Sequence, residues 1–597
     1  MSDYKAPLRD LQFNLFELFD YEEHYQSLSG YEDVSAELVT TILNEFDKFC
    51  SNILSPLNAV GDKEGCTWSD GEVATPSGFK EAYRQYVEAG WPALANDPAY
   101  GGQGLPESLS IVLGEMRGTA NWSWGMYPGL SHGAVNTIEL HGTDSQKQRF
   151  LTPLVEGTWT GTMCLTEAHC GTDLGLLRTK AEAAADGSYQ ITGTKIFISS
   201  GEHDLTENIV HIVLARLPDA PIGVKGISLF IIPKFNVNDD GSMGERNTVR
   251  CGSIEHKMGI HGNAICVMNF DGARGYLLGE PNQGLQAMFT FMNTARIGTA
   301  LQGIAHMELG YQKSLAYAKD RLQMRSVTGP KNPDGPADPI IVHPDVRRML
   351  LTQKALSEGG RMMVAYTGKL VDVIECTTDE MEKKSAEDML SFMTPIAKAF
   401  LTETGFESAN LALQCFGGHG YIKEWGVEQN VRDARIGMLY EGTTGIQALD
   451  FIGRKVLGSG GVLLQNFTRE IHHFCKANAE VAELQEFIEP LQALNKKWGE
   501  LTLHIGTKAM ENADEAGAAS VDYLMFSGYS CLAYFWAKAA SKARAALAAE
   551  NSEGEFYEAK LKTARFYYQR ILPRTSTCEA AILSGADNVM SLEVEAF

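Results

Sequence analysis

The chain has 597 residues, of which 44% are hydrophobic and 21% are charged, a composition typical of a globular protein. Its length predicts several domains, because a single hydrophobic core stops growing at about 250–300 residues. The formal net charge of -24 argues against a broad nucleic-acid surface or an anionic membrane surface as the main partner.

Location and metal binding are constrained by the same composition. The first ten residues show neither an apolar signal core nor an Arg-rich targeting pattern, and no apolar run approaches the roughly 18 residues of a membrane span. The eleven cysteines are scattered without a CxxC pair, and the histidines lack metal-ligand spacing. We therefore expect a cytoplasmic protein with neither a disulfide framework nor a metal site.

The first third of the chain is predicted to be helical. After an N-terminal extension over residues 1–36, the spacing of Leu38, Ile42, Phe46 and Phe49 is that of an amphipathic helix. A helical domain is expected over residues 37–160.

The middle third has a different pattern, typical of strands. The pair Asp186-Gly187 is a hairpin signal, and residues 209–214 and 227–232 are short β-branched and aromatic runs. A β domain is expected over residues 161–280.

Helical periodicity returns over residues 281–457, interrupted by a Pro- and Gly-rich loop at 328–336. Gly458 to Gly461 is predicted to be a flexible linker into an additional helical domain over residues 462–597. That tail has 13 basic and 18 acidic residues, so no basic face dominates it.

The stretch from Tyr440 to Gln447 places Glu441 beside a glycine and two threonines, directly before an apolar, helix-like run. A carboxylate there is a candidate general base. Taken alone, the stretch rather favours a helix N-terminus, where acidic and hydroxyl residues cap the backbone and complement the helix dipole.

Two segments of the middle third have small and hydroxylic residues suited to a flat ring or a phosphate. Residues 165–173 are either such a loop or an ordinary strand exit. In residues 193–201, Phe197 and Ser199 are two apart and share a strand face, which suits packing against a flavin edge but also a plain core position.

Two further candidates lie in the helical part. Arg296 stands among apolar and small residues, so a buried position would require an anionic or carbonyl partner, within the protein or on a ligand. Residues 414–421 are predicted to be a helix end turning on glycines, where exposed amides can meet a pyrophosphate. Neither GxGxxG nor GxxxxGK[ST] occurs in these clusters.

In combination and in order, these motifs resemble those of the acyl-CoA dehydrogenase flavoprotein family, from about residue 37 to 457. The family's T-E-P-x-A-G-S-D corresponds to residues 166–173, its G-x-K-x-W-I-T-N-G strand to 193–201, its Q-x-x-G-G-x-G turn to 414–420 and its Y-E-G-T-S-x-I-Q signature to 440–447. The family's Arg-containing helix corresponds to residues 296–303.

The resemblance implies an α+β fold with an N-terminal helical domain, a middle β-barrel-like domain, a C-terminal four-helix bundle and the additional helical domain. FAD would bind between the β and helical domains and across a subunit interface. The implied FAD contacts are Met163, Leu165, Thr166, Phe197, Ser199, Arg321, Gln414, Gly417, Gly418, Thr443 and Gly445. The implied substrate contacts are Thr172, Arg296, Tyr440 and Gly442.

This sequence departs from the family pattern at four places. Ala168 replaces a proline, Thr172 a serine and Phe197 a tryptophan. The family's R-x-T-F-G segment has become residues 321–325, and the Pro-rich loop follows it.

The activity that the resemblance implies is α,β-dehydrogenation of an acyl-CoA to the trans-2-enoyl-CoA. Glu441 would take the α-proton, flavin N5 would accept the β-hydride, and the Glu441 N–H with a flavin ribityl hydroxyl would bind the thioester oxygen. Arg296 would lie near Glu441 and help orient it, or hold it ionised in the empty enzyme. Electrons would pass to an electron-transfer flavoprotein.

The extension and the tail resemble the family's large bacterial branch, which implies a homodimer acting on a fatty acyl-CoA or 3-methylmercaptopropionyl-CoA. An acyl-CoA oxidase would share the base and the cofactor and differ in oxygen access. A DNA-associated damage-response flavoprotein would need a basic groove in the tail, which the charge count disfavours.

Overall fold

The computed structural model describes residues 4–549 and 552–597, so the first three residues of the predicted extension and residues 550 and 551 of the predicted tail lie outside the description. The described chain divides into two compact units. One comprises residues 4–6 and 45–298, the other residues 7–44 and 299–597. No described helix is both long and apolar enough to cross a membrane.

The unit of residues 45–298 combines helices with all the strands of the described chain. Its helices of ten or more residues are Ser55–Glu64, Phe79–Glu88, Glu107–Ala120, Trp122–His141 and Asp144–Glu156. The strands are β1 (Thr67–Ser69), β2 (Glu72–Ala74), β3 (Trp159–Cys164), β4 (Lys180–Ala183), β5 (Tyr189–Ser199), β6 (Asn208–Ala215), β7 (Ser228–Pro233), β8 (Phe235–Val237), β9 (Met243–Arg246), β10 (Val249–Ile254) and β11 (Ile265–Leu278).

The main sheet has seven strands. Its order is β3-β6-β7-β11-β5-β4, and β10 pairs with β11. Only β3 and β6 run parallel among these pairs. Every residue of β6 and β7 is buried, which is why these strands have continuous apolar runs rather than alternation. The predicted middle β domain is therefore confirmed, including the β4–β5 hairpin at Asp186-Gly187.

The other unit is helical. Two helices cross the limits of the units, Ala36–Phe49 and Gly284–Asp320. The remaining helices are Leu8–Gln12, Tyr21–Gln26, Pro344–Cys376, Glu380–Phe416, Glu428–Arg435, Thr444–Leu449, Val462–Ala477, Gln485–Glu511, Asp514–Ala548, Gly554–Phe566, Arg574–Leu583 and Asp587–Met590, with short π-helical turns at Phe13–Leu18, Asp450–Leu457 and Tyr567–Ile571.

Glycines let the long helices of this unit approach closely. A Cβ added to Gly303 would lie 2.2 Å from the Leu401 carbonyl oxygen, so the helix Gly284–Asp320 touches the backbone of Glu380–Phe416 there. A Cβ on Gly528 of the tail helix Asp514–Ala548 would lie 2.2 Å from Phe400 Cδ2. The tail helix therefore packs directly on the helix Glu380–Phe416.

A buried ion cluster ties the N-terminal extension into the same unit. Asp10 contacts Arg361 and Lys560, while Arg361 also binds Glu308 at 2.9 Å and Lys560 binds Glu358 at 2.8 Å. Burial raises the pKa of Asp10, but the two cations outweigh burial and lower that pKa to about 2. Because removing one partner would leave a buried charge uncompensated, the extension, the long helices and the tail depend on one another.

Two local predictions are corrected by the structure. The buried stripe of the helix Ala36–Phe49 contains Val39, Leu43 and Phe46, whereas Leu38 is 39% exposed, so the predicted apolar face was shifted by one residue at its start. Residues 458–461 form a hydrogen-bonded turn rather than a flexible linker, since Gly460 N donates to Leu457 O and Gly461 N to Val456 O.

Candidate active site

The predicted site residues fall in both units. Met163, Leu165, Thr166, Thr172, Phe197, Ser199 and Arg296 belong to the unit of residues 45–298. Arg321, Gln414, Gly417, Gly418, Tyr440, Glu441, Gly442, Thr443 and Gly445 belong to the other.

The exit from β3 is fixed beside β5 by backbone and side-chain bonds. Met163, Leu165 and Thr166 are half-buried along this exit. Thr166 O accepts a hydrogen bond from Ile196 N at 2.9 Å, and Leu165 O accepts one from Lys195 Nζ at 2.9 Å. The loop therefore presents an ordered edge next to the end of β5.

A buried ion pair holds the base of this loop. Lys195 Nζ lies 2.9 Å from Glu167 Oε1, and the lysine is fully buried. Glu167 also accepts hydrogen bonds from Thr179 N and Oγ1 and from Arg178 N. Burial raises the pKa of Glu167, but Lys195 and these donors outweigh it and lower that pKa to about 2. Glu167 is a structural anion here rather than a proton acceptor.

The same loop brings Glu167, His169 and Cys170 together, with their ligand atoms within 4.8 Å of one another. Both Glu167 oxygens already accept protein hydrogen bonds, and burial raises the pKa of the Cys170 thiol. Metal binding requires a thiolate and a carboxylate available to the ion. The group is better explained as part of the loop's hydrogen-bonding framework.

Phe197 occupies an unusual position at the end of β5. Its φ is +59°, its side chain is 59% exposed, and the β5–β11 register shifts between Lys195 and Ile198. A left-handed backbone is uncommon for a bulky aromatic residue, and an exposed ring gains nothing from the core. Such an outlier points to a ligand surface. The predicted partner Ser199 is half-buried, while Ile198 between them is buried in the core.

The two remaining predicted residues of this unit differ in their surroundings. Thr172 is exposed in the loop after β3. Arg296 is half-buried in the helix Gly284–Asp320, with its guanidinium 5.8 Å from the centre of the Phe289 ring.

In the helical unit, the predicted glycine turn follows directly on a helix end. The helix Glu380–Phe416 ends at Gly417, whose φ is +59°, and Gly417 N donates to Gln414 O. Gln414, Gly417 and Gly418 are exposed, and no atom lies within 4 Å of a Cβ added to either glycine. The surface of this turn is therefore open to a bulky ligand.

Stacked rings support the glycine turn from one side. Tyr317 stacks on Phe416 with ring centres 4.2 Å apart, and His419 stacks on Trp425 at 4.4 Å. The Tyr317 hydroxyl and His419 Nδ1 are hydrogen-bonded at 2.9 Å. These rings were not predicted, although aromatic residues spaced around a glycine turn were visible in the sequence.

Arg321 is half-buried directly after the helix Gly284–Asp320, and its carbonyl accepts a hydrogen bond from Ile340 N. The Pro-rich segment that follows is a loop between helices, as predicted, and it folds around Asp338. This buried carboxylate accepts hydrogen bonds from the backbone N–H groups of Ser326, Lys331 and Asn332.

Glu441 lies in a turn with two successive left-handed residues. Its φ is +56° and that of Gly442 is +85°. The φ of Gly442 favours glycine at this second position, and an added Cβ would also lie 2.6 Å from Gln447 Nε2. The Glu441 side chain is half-buried. Holding a glutamate in this backbone region costs free energy, about 1–3 kcal/mol for a strained residue.

The helix after the turn is capped by Thr443 and not by Glu441. Thr443 Oγ1 accepts a hydrogen bond from Ile446 N at 3.3 Å, and the helix runs from Thr444 to Leu449. The stretch is a helix N-terminus, as its pattern favoured, but its cap is the hydroxyl of Thr443 and not the carboxylate of Glu441. Glu441 lies in the turn, two residues before this cap.

Side chains from the long helices and from the short helix Thr444–Leu449 hold this turn in place. Lys398 donates to Gly442 O, Gln447 Nε2 to Glu441 O at 2.8 Å and Thr444 Oγ1 to Glu403 Oε1 at 2.6 Å. The Tyr440 hydroxyl donates to Gln302 Oε1 at 2.6 Å. Lys398 was missed in the sequence, although a lone lysine within Ile396-Ala397-Lys398-Ala399-Phe400 is the same signal that singled out Arg296.

Four consecutive family domains match the chain: "Acyl-CoA dehydrogenase, N-terminal domain" over residues 41–158, "middle domain" over 162–273, "C-terminal domain" over 282–457 and "Acetyl-CoA dehydrogenase C-terminal like" over 467–593. The chain therefore belongs to the acyl-CoA dehydrogenase family. This membership confirms the predicted enzyme class and the FAD cofactor.

Two relatives are similar to the chain over nearly their whole length. The 3-methylmercaptopropionyl-CoA dehydrogenase of Ruegeria pomeroyi is 40% identical over 98% of this chain and 99% of its own. The broad-specificity linear acyl-CoA dehydrogenase FadE5 of Mycobacterium tuberculosis is 34% identical over 100% of both chains.

Solved structures share the fold. Caenorhabditis elegans ACDH-11 in complex with C11-CoA has a TM-score of 0.77 at 17% identity, over 95% of this chain and 91% of its own. An acyl-CoA dehydrogenase from Bacillus anthracis complexed with FAD has a TM-score of 0.73 at 20% identity, over 94% and 90%. The predicted fold, with its additional C-terminal helical region, is thereby confirmed.

Proposed function

We propose that this enzyme oxidises an acyl-CoA thioester to the trans-2-enoyl-CoA with Glu441 as the base for the α-proton. The observation that supports the role of Glu441 is its position on a left-handed backbone, held by bonds from two long helices, with the capping role taken by Thr443. A carboxylate on a strained backbone that tertiary bonds hold in place is what a positioned proton acceptor requires.

The described residues fit an FAD. Phe197 presents an exposed ring to a flat ligand, beside the half-buried edge formed by Met163, Leu165 and Thr166. On the helical unit, Gly417 and Gly418 leave their Cβ directions open. Following the family, we assign the isoalloxazine ring to the first surface. To the second surface, with Gln414 and Arg321 beside it, we assign the diphosphate and adenosine end of the FAD of a neighbouring subunit.

The remaining assignments of the proposal follow the family. Ser199, Thr443 and Gly445 would complete the FAD site, and Thr172 would contact the CoA arm. When bound, FAD supplies the acceptor for the β-hydride.

The chain's own residues account for the proton transfer. An α-C–H next to a thioester is a very weak acid, so the base must act where water is excluded and the enolate oxygen must be stabilised as charge develops. In the proposal, the Glu441 carboxylate takes the proton, its N–H donates to the thioester oxygen, and Tyr440 and Gly442 border the acyl group. By the family resemblance, Arg296 would orient this carboxylate or hold it ionised in the empty enzyme.

The proposal also covers the substrate class, the electron acceptor, the assembly and the location of the enzyme. The similarity to the Ruegeria and Mycobacterium enzymes supports a short 3-thioether or a linear acyl-CoA as substrate. We assign an electron-transfer flavoprotein as the electron acceptor, a homodimer as the assembly and the cytoplasm as the location. The proposed domain limits are those predicted above.

The test of the base is Glu441→Gln, compared with Glu424→Gln at an exposed position. Removal of a general base is expected to lower kcat by about 10³, within the usual range of 10²–10⁴, while FAD content and acyl-CoA binding persist. Glu424→Gln is expected to match the wild type. Near-normal turnover of Glu441→Gln would contradict the assignment.

The electron acceptor is tested separately. Acyl-CoAs from C3 to C16 and 3-methylmercaptopropionyl-CoA are assayed with an electron-transfer flavoprotein under argon and with O₂ alone. A dehydrogenase reduces the flavoprotein and releases little peroxide. Dominant peroxide release would show an acyl-CoA oxidase instead.

A further inference from the structure

Lys398 is a cation buried in the middle of a helix. Its relative exposure is 0%, and its neighbours Ala397, Ala399 and Phe400 in the helix Glu380–Phe416 are buried as well. Its Nζ donates a hydrogen bond to Gly442 O, one residue after Glu441.

Packing alone does not explain a lysine here. Taking an ammonium group out of water costs several kcal/mol, and methionine would fill a similar volume without that cost. The charge is compensated only if it binds a carbonyl or an anion. One carbonyl that it binds, Gly442 O, belongs to the turn of the proposed base, so the buried cation is linked directly to that turn.

The turn needs such a restraint because two successive left-handed residues are not held by a regular hydrogen-bond ladder. Gln447 fixes the carbonyl of Glu441 and Lys398 fixes that of Gly442, so both sides of the strained segment are tied. Thr444 and Tyr440 are bonded to Glu403 and Gln302 at the two ends. Of these bonds, the one from Lys398 is made by a fully buried cation.

The helix that carries Lys398 is itself firmly placed. Phe400 meets Tyr529 of the tail edge-on with ring centres 4.9 Å apart, and Arg574 binds Glu407 at 2.6 Å. The backbone of Lys398 is therefore held by packed helices, and its side chain reaches the turn from a fixed point.

We propose that Lys398 is a positioning residue, whose bond to Gly442 O fixes the backbone of Glu441 in the orientation needed for proton abstraction. The inference rests on the proposed role of Glu441. It assigns Lys398 no contact with substrate or FAD.

The central variant is Lys398→Met, with Lys455→Met as the matched control. Lys455 also bonds the helix Glu380–Phe416, through Ser391 Oγ at 2.8 Å, but lies beyond the helix that follows the turn. In the holoenzyme we expect Lys398→Met to lower kcat about 10- to 100-fold with KM changed less than about threefold, because a displacement of about 1 Å costs about 10²-fold in rate. Lys455→Met should keep wild-type kcat.

Two further readouts separate positioning from general destabilisation. Amide hydrogen exchange of the FAD-free protein should accelerate over residues 436–449 in Lys398→Met and not in Lys455→Met. In a Glu441→Gln background, Lys398→Met should add less than about a threefold loss, since residues acting as a unit are not additive.

The possible results test the positioning role of Lys398 and the proposed role of Glu441 separately. If Glu441→Gln is inactive while Lys398→Met retains wild-type kcat, the positioning role is wrong and the base remains. If Glu441→Gln is active, the proposed function itself fails. If Lys398→Met does not fold, Lys398→Arg, which keeps a charged donor, must exceed Lys398→Gln in kcat at equal FAD content; equal values overturn the proposal.

Discussion

The contact between the tail and the helix Glu380–Phe416 predicts that the same substitution has opposite effects at two positions of one helix. Gly517 and Gly528 both lie in the helix Asp514–Ala548. No atom lies within 4 Å of a Cβ added to Gly517, which is exposed. A Cβ on Gly528 would lie 2.2 Å, 2.3 Å and 2.8 Å from Phe400 Cδ2, Cγ and Cβ.

The magnitudes follow from these distances. Alanine is favoured over glycine within a helix by about 0.8–1.0 kcal/mol, so Gly517→Ala should stabilise the protein by up to about 1 kcal/mol. At Gly528 the same gain is opposed by overpacking, which costs about 1–3 kcal/mol. Since Phe400 Cβ is itself too close, rotating the ring does not relieve the clash. The two variants should differ by about 1–3 kcal/mol.

The assay is denaturant unfolding of both variants and the wild type at one protein concentration, with matched FAD loading, because ligand and subunit binding shift apparent stability. Gly528→Val and Gly517→Val enlarge the contrast, because both change the helix propensity by a similar small amount and only one adds a larger clash. Equal stability of Gly528→Ala and Gly517→Ala would refute the close contact between the tail and Phe400.

Two more stability predictions concern the sheet unit. Lys195→Met leaves Glu167 buried and unpaired, so it should destabilise the protein by about 3–5 kcal/mol in thermal or denaturant unfolding, and a loss below about 1 kcal/mol would contradict the buried pair. Burial lowers the pKa of His211 to about 3, so the unfolded chain binds a proton below about pH 6.5 that the folded protein does not. Below pH 6.5, His211 should therefore lower the free energy of unfolding by about 1.4 kcal/mol for each pH unit. The variant His211→Asn should reduce this pH dependence, whereas His473→Asn at the surface should not.

The fold was largely predictable because its strands and helices have distinct apolar patterns. The wholly buried β6 and β7 have runs rich in β-branched and other apolar residues. The pair Asp186-Gly187 is typical of a β-hairpin turn. The buried face of the helix Ala36–Phe49 was harder to predict. Leu38 and Val39 are both apolar, and only packing decides which of them is buried.

The candidate site was predictable where chemistry requires a residue type and not where geometry alone matters. Glu441 stood out as a carboxylate beside glycine, but its left-handed φ follows from tertiary bonds that no local pattern specifies. The register shift that exposes Phe197 depends on pairing with β11, about seventy residues away. Lys398 is 43 residues before Glu441, so its contact with the turn was invisible until the helices were packed.

The most direct test of the central claim is anaerobic mixing of the FAD-loaded protein with saturating acyl-CoA while the oxidised flavin absorbance near 450 nm is followed. The account predicts that at least one substrate among C3 to C16 acyl-CoAs and 3-methylmercaptopropionyl-CoA bleaches the wild-type flavin within a single turnover. Glu441→Gln should bind the same substrate and bleach about 10³ times more slowly. Bleaching of Glu441→Gln at the wild-type rate, or no bleaching of the wild type by any of these thioesters, would contradict it.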